Sequence, residues 1–245
     1  MGHHGAVTHD PDVAPPEDPK LAQKQAAAEQ AAEWVESGMT VGLGTGSTAV
    51  WAIRALGAAL RAGRLRDIVA IPTSEASAAE ARAVGVPLVT FDDRTVIDLT
   101  IDGADEVDPA CNLIKGYGGA LLREKVVAQA TRREVIVVDD TKPTARLGTR
   151  CSVPVEVLRF ACATEREFLV SIGAQVVLRP DGAGPFVTDE GNWIIDANFG
   201  PIADGPALAA QLEARAGIVE HGLFLGLTHD VLIAGDHSVE HRARA

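Results

Sequence analysis

Histidine is missing from most of this chain: after three in the first ten residues, the next is His221. Proton transfer near neutral pH in the body of the chain therefore falls to carboxylates, lysines or water, with pKa values set by their surroundings. Cysteine is scarce as well. Cys111, Cys151 and Cys162 form no C-x-x-C pair, which argues against a disulfide framework or a zinc ribbon. No apolar run reaches the roughly eighteen residues that cross a bilayer, and no apolar leader opens the sequence, so a cytoplasmic location is expected. Positive charge is also short, with a net charge of −12 and lysine only at Lys20, Lys24, Lys115, Lys125 and Lys142. Neither nucleic acid nor an anionic membrane is an expected partner, because both need a basic footprint. A small anion held locally remains open.

What is present is an apolar fraction of 47% over 245 residues, enough for a substantial core. Residues 1–20 are rich in Pro, His and Asp, lack apolar periodicity and read as a disordered extension. From there, helix "LAQKQAAAEQAAEWVESG", strand "MTVGLG", helix "STAVWAIRALGAALRAG", strand "IVAIPTS" and helix "EASAAEARAVG" alternate. Strand "TVIDLTID", helix "GGALLREKVVAQATRR" and strand "EVIVVDD" continue the rhythm. Apolar strands separated by helices predict an α/β fold, a doubly wound, mostly parallel, Rossmann-like sheet. After Lys142, "VPVEV", "ATEREFLVSIG", "AQVVLR", "NWIIDA", "DGPALAAQLEARAG" and "IVEHGLFLG" spell β-α-β-β-α-β, a ferredoxin-like split unit. The expected domains are 21–150 plus 229–245, with "VLIAG" as a strand returning to the large sheet, and a smaller α+β domain at 151–228.

In such a sheet, ligands gather at the carboxyl ends of the strands and at helix N-termini. The unusual residues of this chain fall there. "VGLGTGSTA", residues 41–49, interleaves glycines with Thr45, Ser47 and Thr48, a pattern suited to cradling a phosphate. It also reads as a dinucleotide fingerprint or a plain strand-to-helix turn; Thr73 and Ser74 end the next strand where a ribose diol would need an acidic residue. "DGADE" delivers Asp102, Asp105 and Glu106 within five residues, either a solvated acidic turn or carboxylates that bind a polyol and exchange protons with its oxygens. The spacing is not that of an EF-hand loop, and no metal is expected. In "IKGYGGALLREK", Lys115 precedes a glycine loop and Glu124 lies early in the following helix. A carboxylate base near a lysine suits removal of a proton α to a carbonyl, with positive charge on the enediolate oxygen. Together these segments describe a sugar-phosphate site.

"VGLGTGSTA", "PTSEAS", "DGADE", "IKGYGGALLREK" and "VVDDTK", in this order and ahead of "VPVEV", resemble the A-type ribose-5-phosphate isomerase family over nearly the whole chain after residue 20. The resemblance implies interconversion of D-ribose 5-phosphate and D-ribulose 5-phosphate through an enediolate, in the non-oxidative pentose phosphate pathway, with neither metal nor organic cofactor. It implies Glu124 as the base, Asp102 as the group assisting ring opening and proton movement on oxygen, and Lys115 as the stabiliser of the oxyanion. Substrate contacts are implied at Thr45, Gly46, Ser47 and Thr48, at Gly103, Ala104 and Asp105, and at Gly116, Tyr117 and Gly118, with Lys24 and Lys142 adding positive charge. A homodimer or homotetramer is implied too.

Two positions depart from the family pattern. Arg159 stands where a proline is usual, away from the expected chemistry. Tyr117, the only tyrosine, interrupts a run of glycines, where it would narrow the pocket, add a hydroxyl contact or shift the backbone. Competing functions are a sugar-phosphate sensor, which would usually come with a basic DNA-binding segment, and an amino-sugar phosphate isomerase-deaminase, which would be expected to open its ring with an imidazole. The body of the chain supplies neither.

Overall fold

The computed structural model describes residues 20–236 and 238–244. The first run of elements is α1 (Leu21–Ala32), β1 (Thr40–Leu43), α2 (Ala49–Arg61), β2 (Val69–Pro72), α3 (Glu75–Val84) and β3 (Leu99–Asp102). Two short strands, β4 (Glu106–Val107) and β5 (Leu113–Ile114), precede α4 (Leu121–Gln129) and β6 (Glu134–Asp139). The second run is β7 (Val153–Val157), a 3-10 turn (Arg159–Ala161), α5 (Cys162–Ser171), β8 (Gln175–Leu178), the short pair β9 (Pro180–Asp181) and β10 (Gly184–Pro185), β11 (Trp193–Asn198), α6 (Gly205–Glu213) and β12 (Ile218–His221). The chain closes with β13 (Leu223–Phe224), β14 (Asp230–Ala234) and β15 (Val239–Ala243).

Six strands form the large sheet in the order β15-β14-β6-β3-β1-β2, parallel throughout except for β15, which runs antiparallel to β14. Every residue of β1, β3, β6 and β14 is buried, as a parallel sheet covered on both faces requires. On one face Ala27, Ala28 and Ala31 of α1 and Ile53 and Leu56 of α2 pack against Val41, Leu43, Leu99 and Val135. The alanines let α1 lie close to the strands. On the other face Ile136 and Val138 meet Ala128 of α4 and Phe224. A Ser74–Ser77 capping box starts α3, and left-handed Gly85 ends it.

The small sheet has the order β12-β7-β11-β8, antiparallel at every pairing, around a separate cluster that includes Val155, Leu169, Ile195 and Leu212. This is the expected split β-α-β-β-α-β unit. "VLIAG" returns to the large sheet as β14, beside β6.

Several expectations need correction. "IVEHGLFLG" is two strands: β12 belongs to the small sheet, whereas β13 joins β5 and β4 in a three-stranded antiparallel sheet. The break falls at Gly222, whose carbonyl accepts the Lys115 N–H at 2.9 Å while its own N–H donates to Pro154 at 2.7 Å. The helix expected over residues 118–133 spans only Leu121–Gln129, and the strand expected over 95–102 only Leu99–Asp102. The edge strand β15 carries no strand pattern, since "VEHRA" is mostly polar and its burial does not alternate cleanly. Of the expected extension, residues 1–19 lie outside the described residues; Lys20 is the residue before α1 and pairs with Asp140 at 2.8 Å.

Candidate active site

The end of β1, the end of β3, the loop after β5 and the start of α4 enclose a cavity of about 250 Å³. Lys115, which directly follows β5, is 2% exposed, and its Nζ lies 3.1 Å from Asp102 Oδ2 and 3.2 Å from Glu124 Oε1. It also donates to the Gly103 carbonyl at 2.5 Å. Asp102 ends β3 and is held from behind, its Oδ1 accepting the N–H groups of Thr45 (3.1 Å) and Gly103 (2.7 Å). That approach requires glycine at 44, because a Cβ there would sit 2.2 Å from Asp102 Oδ1. Glu124 occupies the first turn of α4, buried, and its Oε2 has no hydrogen-bond partner among the described residues.

Two carboxylates thus share one ammonium out of water. Burial pushes the Glu124 carboxyl up to about 8; Lys115 pulls it down less strongly, and Asp102 pushes it further up. Burial alone would lower the Lys115 pKa, yet Asp102 and Glu124 hold it above its ordinary value. The arrangement keeps a fixed cation beside a carboxyl that gains and loses a proton near neutral pH, which suits proton abstraction next to a stabilised oxyanion.

The acid cluster divides into three tasks. Asp102 belongs to the trio. Asp105 Oδ2 accepts the Tyr117 N–H at 3.0 Å, and burial raises its pKa. Glu106 faces away from the cavity and is fully buried, accepting the N–H groups of Gly148 (2.7 Å), Arg150 (2.5 Å) and Cys151 (2.9 Å). It fixes the connection into β7, a role its place in "DGADE" does not reveal.

At the other end of the cavity, Gly46 and Ser47 are exposed and Thr48 is the residue before α2, with no side-chain cap bond. The Val50 and Trp51 amides of α2 already donate to the carbonyls of Gly46 (3.2 Å) and Thr48 (3.1 Å), whereas those of Gly46, Ser47, Thr48 and Ala49 have no acceptor among the described residues and could meet an anion. Lys24 of α1 and Lys142 line the same cavity, as do Gly103, Ala104, Gly116, Tyr117 and Gly118. Thr45 lines it too, but its hydroxyl is engaged with Thr73 Oγ1 (2.8 Å) and Ser74 Oγ (2.7 Å). Tyr117 has an ordinary negative φ, so the tyrosine needs no shifted backbone; its ring is half exposed and its hydroxyl oxygen accepts the Ser152 N–H at 3.2 Å. Arg159 opens the 3-10 turn after β7, donating to the Gly191 carbonyl.

Sequence reasoning misses several residues around this floor. Lys125, next to Glu124, is buried and bonded to Glu220 (2.6 Å) and to the His221 carbonyl (2.7 Å). Glu134 on β6 is buried, and burial followed by Asp102 pushes its pKa well up. A larger groove of about 980 Å³ runs between α3 and α4, but there Arg123 is already paired with Glu75 (3.0 Å) and Glu190 (2.5 Å), and the groove holds no buried ionisable trio. Lys115 and Glu124 of that trio line the smaller cavity.

Residues 69–238 match the family model described as ribose 5-phosphate isomerase A (phosphoriboisomerase A). A protein of Desulfatibacillum aliphaticivorans named ribose-5-phosphate isomerase A is 55% identical over 87% of this chain and 94% of its own length. A solved D-ribose-5-phosphate isomerase in complex with phospho-erythronic acid superposes with a TM-score of 0.89 at 36% identity, covering 91% of this chain and 98% of the other. The ribose 5-phosphate isomerase A of Methanocaldococcus jannaschii gives 0.87 at 36% identity, over 91% and 99%.

Proposed function

Since the chain belongs to the ribose 5-phosphate isomerase A family, we propose that the 250 Å³ cavity is where it works, with Glu124 as the base, Lys115 as the electrophile and Asp102 as the carboxylate serving the substrate oxygens. The protein is an aldose-ketose isomerase that interconverts D-ribose 5-phosphate and D-ribulose 5-phosphate, and its ligand is a small sugar phosphate. The observation that carries the residue assignment is the Lys115 ammonium, 3.1 Å from Asp102 and 3.2 Å from Glu124 at the buried floor of the cavity.

The dianionic phosphate lies against the N-terminus of α2, with Gly46, Ser47 and Thr48, within reach of Lys24 and Lys142. Asp102 helps move the proton of the anomeric hydroxyl to the ring oxygen as the ring opens. Glu124 then takes hydrogen from C2 of the aldehyde form, the C1–O double bond becomes an enediolate oxygen, and Lys115 neutralises it. A proton passes between O2 and O1, and Glu124 returns its proton to C1, leaving the ketone at C2. Asp105, with the backbone of Gly103, Ala104, Gly116, Tyr117 and Gly118, orients the remaining hydroxyls. No described histidine lines the cavity, so nothing favours an imidazole-assisted deaminase.

We also assign residues 21–150 with 229–245 to the catalytic unit and 151–228 to a smaller one, supported by separate clusters of apolar side chains under the two sheets. Homo-oligomerisation is supported by the exposed apolar side chains Phe160, Val170 and Val177 around the small sheet. No described helix is long and apolar enough to cross a membrane, and a cytoplasmic location suits three free cysteines. Purified protein supplied with D-ribose 5-phosphate and a chelator should form the ketose, and Glu124→Gln should bind without turning over. A Glu124→Gln enzyme of full activity would remove Glu124 from the role of base.

A further inference from the structure

The loop that separates Lys115 from α4 is held from outside by one residue of the small sheet. Arg179, immediately after β8, donates from Nε to Asp196 Oδ2 at 3.0 Å and from Nη2 to Asp196 Oδ1 at 2.5 Å. Its remaining terminal nitrogen, Nη1, donates to the carbonyls of Gly116 (2.8 Å) and Tyr117 (3.1 Å). The guanidinium is 11% exposed and lies 5.6 Å from the Tyr117 ring and 5.8 Å from the Phe186 ring. Phe186 closes the far end of the loop, since a Cβ on Gly119 would meet its ring at 2.3 Å. Only arginine offers donors in a rigid fork that can engage a carboxylate and two carbonyls at once.

The consequence follows from peptide planarity. In a trans peptide the C=O and the N–H point in opposite directions, and no peptide in the described chain is cis. The Gly116–Tyr117 unit has its carbonyl on Arg179 and its N–H on Asp105 Oδ2. The Tyr117–Gly118 unit likewise has its carbonyl on Arg179, which turns the Gly118 N–H the opposite way, beside the cavity that Gly118 lines. That N–H has no acceptor among the described residues.

We propose that Arg179, braced by Asp196, is a positioning residue for substrate recognition: by fixing two peptide planes it orients Asp105 and presents the Gly118 N–H to an oxygen of the sugar phosphate. This rests on the isomerase reading, and it gives the small sheet a part in a site whose reacting groups all lie elsewhere. Lys115 and Glu124 keep their own anchors, so loosening the loop weakens binding more than chemistry.

The test is Arg179→Met, with Arg179→Lys as a second variant that keeps the charge but not the fork. Three measurements are made: KM for D-ribose 5-phosphate, kcat, and the dissociation constant of phospho-erythronic acid. In both variants KM and the dissociation constant should rise about tenfold, the size of one lost charge-assisted hydrogen bond, while kcat changes less than about threefold. Millimolar guanidinium should recover part of the affinity in Arg179→Met and none in wild type. Unchanged KM and inhibitor affinity in the folded variants would overturn the proposal, as would a loss confined to kcat or a loss that guanidinium does not relieve. Wild-type protein without isomerase activity would instead defeat the functional reading, whereas active wild type with indifferent variants would defeat only this one.

Discussion

Two buried lysines flank one phenylalanine ring, and they behave in opposite ways. Lys115 Nζ lies 5.5 Å from the centre of Phe224 and Lys125 Nζ 4.9 Å, so both ammonium groups lie close to the same ring. Lys115 faces Asp102, Glu124 and the cavity, and its pKa is raised against the pull of burial. Lys125 faces Glu220, the His221 carbonyl and the His221 ring, and burial lowers its pKa despite Glu220. Burial alone therefore does not mark a working lysine. What distinguishes Lys115 is that two carboxyl groups, Asp102 and Glu124, share it beside space for a ligand. Glu124 and Lys125 are adjacent in sequence, so α4 sends one residue to each cluster.

Removal of the proposed base should have the largest effect. Glu124→Gln should lower kcat by about 10²- to 10⁴-fold, the usual reach of general base catalysis, with phospho-erythronic acid affinity within about threefold. Next in size, Lys125→Met should leave Glu220 and the carbonyl of His221 without their cation and cost about 3–5 kcal/mol of stability, read from urea unfolding. Its kcat should fall less than about tenfold, whereas a drop matching that of Glu124→Gln would erase the distinction between the two clusters.

pH offers a subtler separation. Glu124 must be ionised to take a proton, so kcat/KM should rise with pH and level off above about 8. For stability the sign runs the other way. A carboxyl with a folded pKa above its ordinary 4.5 holds its proton more tightly when folded, so its contribution is full below 4.5 and fades as pH rises through about 8. His221 acts at the acid end: burial and Lys125 lower its pKa to about 3, so stability present above 6.5 is lost as pH falls toward 3. Chemical denaturation across pH 4–9 should show stability falling between about 6.5 and 8, and Glu124→Gln should make that fall shallower. The smallest effect belongs to Tyr117→Gly, which keeps both carbonyls on Arg179 and removes the Ser152 contact. KM should rise by about two- to fivefold, consistent with one hydrogen bond of about 1 kcal/mol or less.

Much of this was legible in the sequence. The alternation of apolar strands and helices predicts the large sheet, and "VLIAG" as a returning strand is visible from its composition. Asp102, Lys115 and Glu124 stand out because each sits at a strand end or an early helix turn, where the fold collects chemistry. What stayed hidden depends on distant partners or very short elements. β4, β5 and β13 are two residues each, too short for periodicity to register. Lys125 reads as surface charge until a strand some 95 residues later supplies Glu220. Glu106 looks like a ligand and is a brace for the backbone. Arg179 is one arginine among many until its fork is seen on Asp196 and two loop carbonyls. Thr45 lines the cavity, but its hydroxyl is committed to Thr73 and Ser74, partners that local sequence does not reveal.

Glu124 is the residue we propose to carry the proton between C2 and C1 beside the Lys115 ammonium. The most direct test of that role is isotope incorporation: D-ribose 5-phosphate is incubated in deuterium oxide with wild-type protein or with Glu124→Gln, and deuterium at both carbons is followed by proton magnetic resonance. Wild type should incorporate deuterium during turnover, while Glu124→Gln should bind phospho-erythronic acid normally and incorporate at a rate at least about 10²-fold lower. Incorporation by Glu124→Gln at the wild-type rate would contradict that role.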